Sequence, residues 1–576
     1  MHAAAGLPRG PLREPVSARE LIALAAVVAI GVAWVLPLLT LPASFDALHM
    51  YLPMARRLLS EGPEYLQRPE SLAYAPVAFV FPALFGADEA AVRWASVALY
   101  GASIAAAFFA ARSAHSPRAG FIAAALLAIS PTLHPYMADV LTEPPFVLFT
   151  AVWIASVAAL ASGGRARWAV VGAIALALAT LTRPALMFFP LMGAAFFAWQ
   201  AGRVHDEERR SVLSLALLHL VALAGVAAWI ARNAIEFGFP SVSAGAGNAL
   251  FLGINPLVDG FDPVYYGLSF DDGAVTMGVG HLSIEGDRLL RRVALLELAD
   301  IPFPVLLEMG VRKTLAFVFV TDWEPHVVRL RAWRMVLAVF ATGALFFERR
   351  SLVVQALAIF VAYMLAVHLP LLYHHRYSVG AIDLPLALLA AIGLAVALDS
   401  PRRLALLAFA AVIGLGLALA SIVNAGPGSP HPERSPYDVV WSRSDRSVQT
   451  LAANGAVEIP ITHASGFNPF THFMIEMDLA VEPKERGARC PAMHVRYKGL
   501  DEPGYAQGRV ARIPLRADGR VRTLDIGMAY PIFMDREGTL RLELECASAA
   551  QVTIANLRVL APNRAVVYRN RVARGT

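Results

Sequence analysis

The chain has 576 residues, 57% hydrophobic and 16% charged, with a formal net charge of +5; its mean hydropathy is +0.55. A soluble chain carries roughly a quarter charged residues, so this composition excludes an ordinary soluble protein of several domains. The basic balance does not indicate nucleic acid either, because the arginines cluster at the ends of apolar blocks, as membrane topology requires, and do not form a phosphate-tracking patch.

The apolar residues fall into blocks of about 20, the length that crosses a hydrocarbon core as a helix. Spans are predicted at 19–40, 90–111, 119–133, 139–161, 168–182, 184–202, 212–231, 332–347, 351–371, 377–398 and 403–423. The first follows Arg9, Arg13 and Arg19 and reads as an uncleaved span, with no small-residue cleavage site after it. Alternate connections carry Arg112/Arg118, Arg165/Arg167, Arg203/Arg209/Arg210, Arg349/Arg350 and Arg402/Arg403. All lie on one side, which the positive-inside rule makes the cytoplasm. Eleven spans then place the N-terminus inside and the C-terminus outside. Residues 301–321 are apolar but carry Arg312 and Lys313 at their centre, so they are predicted to lie at the outer interface or against the bundle. Counting them as a span gives twelve.

Two outer loops are long, 41–89 and 232–331, and long loops between spans are commonly functional. The first opens Ser44-Phe45-Asp46-Ala47-Leu48-His49 and continues with Tyr51, Leu52, Ala55, Leu58 and Leu59 at helical spacing. That spacing predicts an amphipathic helix suited to the membrane surface. Asp46 at its start is either a helix cap or a functional carboxylate at the water–lipid boundary. Asp139 and Glu143, four residues apart on the first turn of a span, complement the helix dipole, but two acids exceed what capping needs. Arg183, in Thr182-Arg183-Pro184, and His374-His375-Arg376-Tyr377 sit at the outer boundary against the positive-inside trend. Such an arginine either snorkels or binds phosphate through charge-assisted hydrogen bonds. The adjacent histidines point apart on a helix, which argues against a metal site.

Ala425-Gly426-Pro427-Gly428-Ser429-Pro430 marks a linker between a transmembrane domain, 1–424, and an outer domain, 431–576. In the outer domain, runs such as Phe473–Leu479, Leu540–Leu544 and Val552–Ile554 alternate with period two, and Ala517-Asp518-Gly519 reads as a turn. This predicts an all-β sandwich, jelly-roll-like, acting as a structural cap or as a binder of a glycan or its carrier. Cys490 and Cys546 both fall there and are predicted to bridge or to stay as two buried thiols, a bridge being suited to an oxidising periplasm.

Taken in order, the pieces resemble the GT-C class of integral-membrane glycosyltransferases, in the bacterial branch related to the aminoarabinose transferase and the protein O-mannosyltransferases. The resemblance covers roughly residues 20–400. It rests on the Asp46 loop, Met54-Ala55-Arg56-Arg57-Leu58-Leu59, Tyr74-Ala75-Pro76, Leu84-Phe85-Gly86 and Ala91-Val92-Arg93-Trp94. Thr142-Glu143, Thr182-Arg183-Pro184, Trp229-Ile230-Ala231-Arg232-Asn233, Phe237-Gly238, Gly247-Asn248, Gly253-Ile254-Asn255 and Arg376-Tyr377 follow. Two departures stand out. Ala47 follows Asp46 where the family often has a glutamate, and Tyr74-Ala75-Pro76 stands where the aminoarabinose branch has a lysine-bearing motif. Arg68, Arg312 and Lys313 are the candidates to replace that cation.

The resemblance implies an inverting transfer of a sugar from a polyprenyl-phosphate donor to an acceptor hydroxyl at the outer face of a bacterial inner membrane. Asp46 is then the general base. Arg376, with Arg183, Arg232 and His375, holds the lipid phosphate, and Asp139, Glu143 and His49 orient acceptor or sugar hydroxyls. The partners expected are the lipid-linked donor, membrane lipid and a glycan, lipid or protein acceptor, with no nucleic acid. No metal-ligand motif is present, no cofactor is required by this reading, and a carboxylate-bound divalent cation stays open. The rival is a transporter or flippase, which needs charges within the spans and symmetry between halves; neither is read here, since the acids lie at the outer boundary.

Overall fold

The computed structural model describes residues 15–254, 268–269, 280–319, 328–410, 437–462, 473–485, 487–499, 504–505, 510–515, 517–528 and 537–562. The chain divides into two compact units, residues 1–244 with 311–426 and residues 245–310 with 427–576. The predicted linker at 425–430 and most of the predicted span 403–423 lie outside the described residues.

The first unit is helical. Its principal helices are α1 (Ala18–Val35), α2 (Leu52–Glu61), α3 (Glu89–Ala114), α4 (Pro117–Ala128), α5 (Glu143–Ala161), α6 (Arg167–Thr182), α7 (Phe189–Ala201) and α8 (Asp206–Phe237). Seven helical stretches among the described residues are long and apolar enough to cross a membrane: Ala18–Thr40, Glu89–Ala114, Glu143–Ala161, Pro184–Ala201, Glu208–Phe237, Leu330–Phe347 and Arg376–Leu398. Three shorter apolar helices, Pro117–Ala128, Arg167–Thr182 and Leu352–His368, coincide with further predicted spans. The protein is therefore a multi-pass membrane protein. Helix α4 stops short of its predicted end at 133, because Pro131 excludes the helical conformation from the residue before it and residues 131–133 turn instead.

The loop after α1 corrects one expectation. Tyr51, Leu52 and Ala55, predicted to face lipid, are buried and pack with Val92, Val140 and Leu141. Only Leu48 and Leu59 of that stripe are largely exposed. The amphipathic segment thus turns its apolar face into the bundle. Arg93, also buried, holds the loop ends from below. Its Nε donates to the Ala138 carbonyl at 2.7 Å, Nη1 to Leu41 at 2.8 Å and Nη2 to Leu38 at 2.7 Å.

After α9 (Ala246–Ile254) and α10 (Ile284–Asp300), which belong to the second unit, come α11 (Phe303–Phe319), α12 (Val328–Phe347), α13 (Leu352–His368) and α14 (Leu384–Leu398). Helix α11 covers the charged segment 301–321. Its Lys313 is buried and donates to the carbonyls of Leu369 at 3.1 Å and Leu371 at 2.7 Å, just past the end of α13. Helices α12 and α14 pack closely at Gly393, where a Cβ would stand 2.0 Å from the Phe340 carbonyl oxygen.

A second correction lies in the same region. Arg334 and Asp383 are charges inside predicted spans, and they form a fully buried pair. Arg334 Nε and Nη2 donate to the two Asp383 oxygens at 2.9 Å each, and Nη1 donates to the Phe317 carbonyl and the Ser378 hydroxyl at 2.9 and 2.8 Å. Every contact of the guanidinium is internal. Asp383→Ala alone is expected to lower stability by about 3–5 kcal/mol, because it strands a buried cation. The double variant Arg334→Met/Asp383→Leu is expected to recover most of that loss. Unfolding in detergent micelles measures both, and equal losses in the single and double variants would contradict the pairing.

The second unit contains the β region predicted from period-two alternation. Strands β1 (Leu268–Ser269), β2 (Tyr437–Arg443), β3 (Ser447–Leu451), β5 (Phe473–Pro483), β8 (Arg522–Met528) and β10 (Ala550–Pro562) form one sheet, ordered β1-β8-β5-β10-β2 with β3 also on β10. Strands β4 (Ala456–Thr462), β6 (Ala492–Gly499), β7 (Val510–Pro514) and β9 (Glu537–Glu545) form the other, ordered β4-β9-β6-β7. All pairings are antiparallel except β1 with β8. Alternate residues of both sheets share one core, with Ile475, Met477, Leu479 and Val481 from β5 facing Leu540, Leu542 and Leu544 from β9. In β10 the buried positions shift phase, from Val552 and Ile554 to Leu557 and Val559. Asn556, at φ 51°, absorbs the extra residue, and its amide donates to Asp478 at 2.6 Å.

Cys490 and Cys546 are disulfide-bonded, joining the residues just before β6 and just after β9 across a separation of 56 positions. Replacing both by alanine is expected to lower the stability of this unit by about 2–4 kcal/mol, the typical value for a bridge closing a loop of this size. Unfolding followed by the β-sheet circular dichroism signal of the full chain checks this, and an unchanged midpoint would contradict it.

Candidate active site

Four of the predicted charges meet in one cluster of the first unit. Asp46 leads directly into a π-helical turn, Ala47–Tyr51, at the head of α2. Its carboxylate does not cap that turn; the Ser44 hydroxyl accepts from the Ala47 amide at 3.4 Å instead. Glu143 opens α5, Arg183 ends α6, and Arg376 lies in the short helix His375–Ser378. A second π-helical turn, Val379–Asp383, follows Arg376 and leads into α14. Such turns widen the helix by one residue and recur at functional sites.

The Arg376 guanidinium is the hub. Its Nη1 donates to Asp46 Oδ2, its Nε to Glu143 Oε1, and its Nη2 to the Tyr51 hydroxyl at 3.2 Å. Arg183 reaches the same Glu143 oxygen through Nη2 at 2.7 Å and the Tyr377 carbonyl through Nη1 at 3.0 Å. Its guanidinium stacks over Phe146, 4.8 Å from the ring centroid. Gly380 makes room for that ring, since a Cβ there would stand 2.5 Å from Phe146 Cδ1. Two guanidinium groups thus share one fully buried carboxylate, and the second carboxylate, Asp46, keeps 33% of its side chain exposed. This arrangement presents fixed cations beside a partly exposed carboxylate.

The tyrosines complete the floor. Tyr51 and Tyr74 meet edge-to-face with centroids 5.1 Å apart. Burial pushes the Tyr51 phenol up to about 12 and raises Tyr74 as well, so both stay protonated at any working pH. Tyr74, standing where the aminoarabinose branch has a motif lysine, therefore packs against Tyr51 and supplies no charge. Of the proposed substitutes for that lysine, Arg68 pairs with Glu61 at 3.0 Å and Lys313 serves the end of α13. The Arg312 side chain lies outside the described residues.

The remaining predicted site residues sit differently. Asp139 accepts the backbone N–H of Ser44 at 3.1 Å and of Val140 at 2.7 Å, so it fixes the loop that carries Asp46. His49 is exposed and stacks on Phe45, centroids 4.4 Å apart. Arg232 makes its contacts at the end of α8, donating to Asn233 at 2.8 Å and lying over Trp229 and Phe237. The His375 side chain lies outside the described residues. Among the described residues no group of three or more His, Cys, Asp or Glu is placed to hold a metal ion.

The comparisons fit the sequence resemblance. Residues 71–229 match the family described as dolichyl-phosphate-mannose-protein mannosyltransferase. That segment carries Tyr74, Asp139, Glu143 and Arg183, and it bears out the resemblance to the GT-C class. Solved structures similar to this chain include the archaeal oligosaccharyltransferase AglB from Archaeoglobus fulgidus in complex with an inhibitory peptide and a dolichol-phosphate. That pair is 14% identical, with 71% of this chain and 55% of that chain covered and a TM-score of 0.38. The Archaeoglobus fulgidus oligosaccharyltransferase in the apo form is 15% identical over 70% of this chain and 55% of that one, with a TM-score of 0.38. The same enzyme tethered to an acceptor peptide is 14% identical over 71% and 56%, with a TM-score of 0.34. This chain spans about half the length of those enzymes. No curated protein matches the chain.

Proposed function

We propose that this protein is an inverting glycosyltransferase that moves a sugar from a polyprenyl-phosphate donor to an acceptor hydroxyl at the outer face of a bacterial inner membrane. The observation that carries this reading is the convergence of Asp46, Glu143, Arg183 and Arg376 at one place. In the proposed step the acceptor oxygen bonds to the anomeric carbon as the bond to the phosphate oxygen breaks. The hydroxyl proton passes to Asp46, and the electron pair leaves with the lipid phosphate, whose charge Arg376 stabilises. One base, with no second carboxylate free to attack among the described residues of the cluster, implies inversion. Glu143, buried against two arginines, positions those cations. Asp139 positions the Asp46 loop, and acceptor orientation falls to the more exposed His49.

The membrane holds the donor's tail, which keeps the reacting head group at the boundary where Asp46 sits. The arginine bias of the connections supports a cytoplasmic N-terminus, and the disulfide supports a periplasmic C-terminal region. The Arg334–Asp383 pair does not favour a transporter, because its polar groups are satisfied by one another, by a backbone carbonyl and by a hydroxyl. Membranes containing the protein, supplied with labelled polyprenyl-phosphate sugars, test the reading. Label moving from the lipid fraction into envelope material supports it; unchanged lipid label with solute uptake supports the transporter.

A further inference from the structure

We infer that Asp46 and the donor phosphate compete for the Arg376 guanidinium, so that donor binding releases Asp46 and favours the order donor first, acceptor second. The inference rests on the glycosyltransferase reading above and deepens it.

The cluster is balanced. Arg183 and Arg376 bring two positive charges, and Glu143 and Asp46 bring two negative ones. All three nitrogens of the Arg376 guanidinium donate within it, to Glu143, Asp46 and Tyr51. One N–H remains on each Nη, but a phosphate that takes them adds negative charge beside two carboxylates already matched by the two guanidinium groups, so the balance favours drawing one of those carboxylates off. Tyr51 is a neutral phenol, so giving up its bond leaves the charges unchanged and the phosphate facing two carboxylates.

Burial decides which carboxylate yields. Glu143 is fully buried and is held from the other side by Arg183 at 2.7 Å. Drawing it away from Arg376 would leave a buried anion half-compensated, which is costly. Asp46 has a third of its side chain exposed, and Arg376 is its hydrogen-bonding partner among the described side chains. It exchanges the guanidinium for water at little cost. Asp46 therefore gives way.

The consequence is mechanistic. While its Oδ2 is held on Arg376, the Asp46 carboxylate is fixed toward the guanidinium and has Oδ1 alone for other partners. Once phosphate occupies the guanidinium, both oxygens are free and the carboxylate can turn to an acceptor hydroxyl beside the donor's sugar. Donor binding ahead of acceptor is thereby favoured.

The test measures binding of undecaprenyl monophosphate to the full-length protein in detergent micelles, with inorganic phosphate as a second arm. Asp46→Ala is expected to bind the lipid phosphate roughly tenfold more tightly than the wild type, the scale of one charge-assisted hydrogen bond no longer competed for, and Asp46→Asn, whose amide oxygen still faces Arg376 without the charge, more tightly than the wild type by a smaller factor. The alanine variant excludes the added amide donor as the cause. Arg376→Leu is expected to lose binding. Inorganic phosphate is expected to follow the same order more weakly. If both Asp46 variants bind no more tightly than the wild type while Arg376→Leu has lost binding, the competition is wrong and the phosphate site stands. If Arg376→Leu binds as the wild type does, the phosphate site itself is wrong, and the competition falls with it. Tightening confined to inorganic phosphate contradicts a lipid-linked donor.

Discussion

Arg376→Leu is expected to lower sugar transfer by about a hundred- to a thousandfold, the range seen when one preorganised donor is removed from a developing oxyanion. It removes the cation proposed to meet the departing phosphate, and with it the contacts to Asp46, Glu143 and Tyr51. The protein is also expected to lose about 1–3 kcal/mol of stability, the cost of depriving a buried carboxylate of one charged partner. The loss stays in that range because Arg183 still holds Glu143. Arg376→Lys separates charge from geometry. It keeps the cation but cannot span Asp46 and Glu143 as a planar fork, so it is expected to recover stability better than turnover. Turnover of labelled donor beside thermal unfolding of the same preparations gives both numbers. Full activity in the lysine variant would assign Arg376 a charge-balancing role only.

Asp46→Asn is expected to cost about a hundred- to ten-thousandfold in turnover, the contribution of a positioned general base. The substitution keeps the shape and an oxygen facing Arg376 but removes the proton acceptor. Because the Asp46 side chain is partly exposed, the folded state should change little, and the unfolding midpoint should stay within a few degrees of wild type. Asp139→Asn provides the contrast. Asp139 accepts two backbone N–H groups and holds the loop, so its replacement is expected to reduce turnover less than Asp46→Asn. A larger loss at Asp139 than at Asp46 would move the base to Asp139.

The sequence carried the helical spans because each is a block of apolar residues at membrane length, and it carried the β region because its strands alternate with period two. The breaks in those patterns were harder to read. Helix α4 ends early at a proline, and β10 changes phase at Asn556, a single residue in a left-handed conformation. Asp46, Glu143, Arg183 and Arg376 were all legible as charges out of place in an apolar chain. Their bonding was not, because Arg376 lies 330 residues from Asp46 and 233 from Glu143. Asp139 and Glu143 looked equivalent on one helical turn, yet one fixes a loop and the other anchors two arginines. Arg334 and Asp383 each stand among apolar residues of separate helices, and only the fold shows that they pair. Tyr51 looked like part of a lipid-facing stripe. Only the fold turns that face inward and places its hydroxyl on Arg376.

The most direct measurement reconstitutes the full-length protein in lipid nanodiscs with a labelled polyprenyl-phosphate sugar and an envelope extract as acceptor source, and follows both products. Free polyprenyl phosphate and glycosylated acceptor are expected in equal amounts with wild-type protein, and both at least a hundredfold more slowly with Asp46→Asn. Equal turnover by the two proteins, or intact donor recovered on the opposite side of a bilayer, would contradict the proposed transfer.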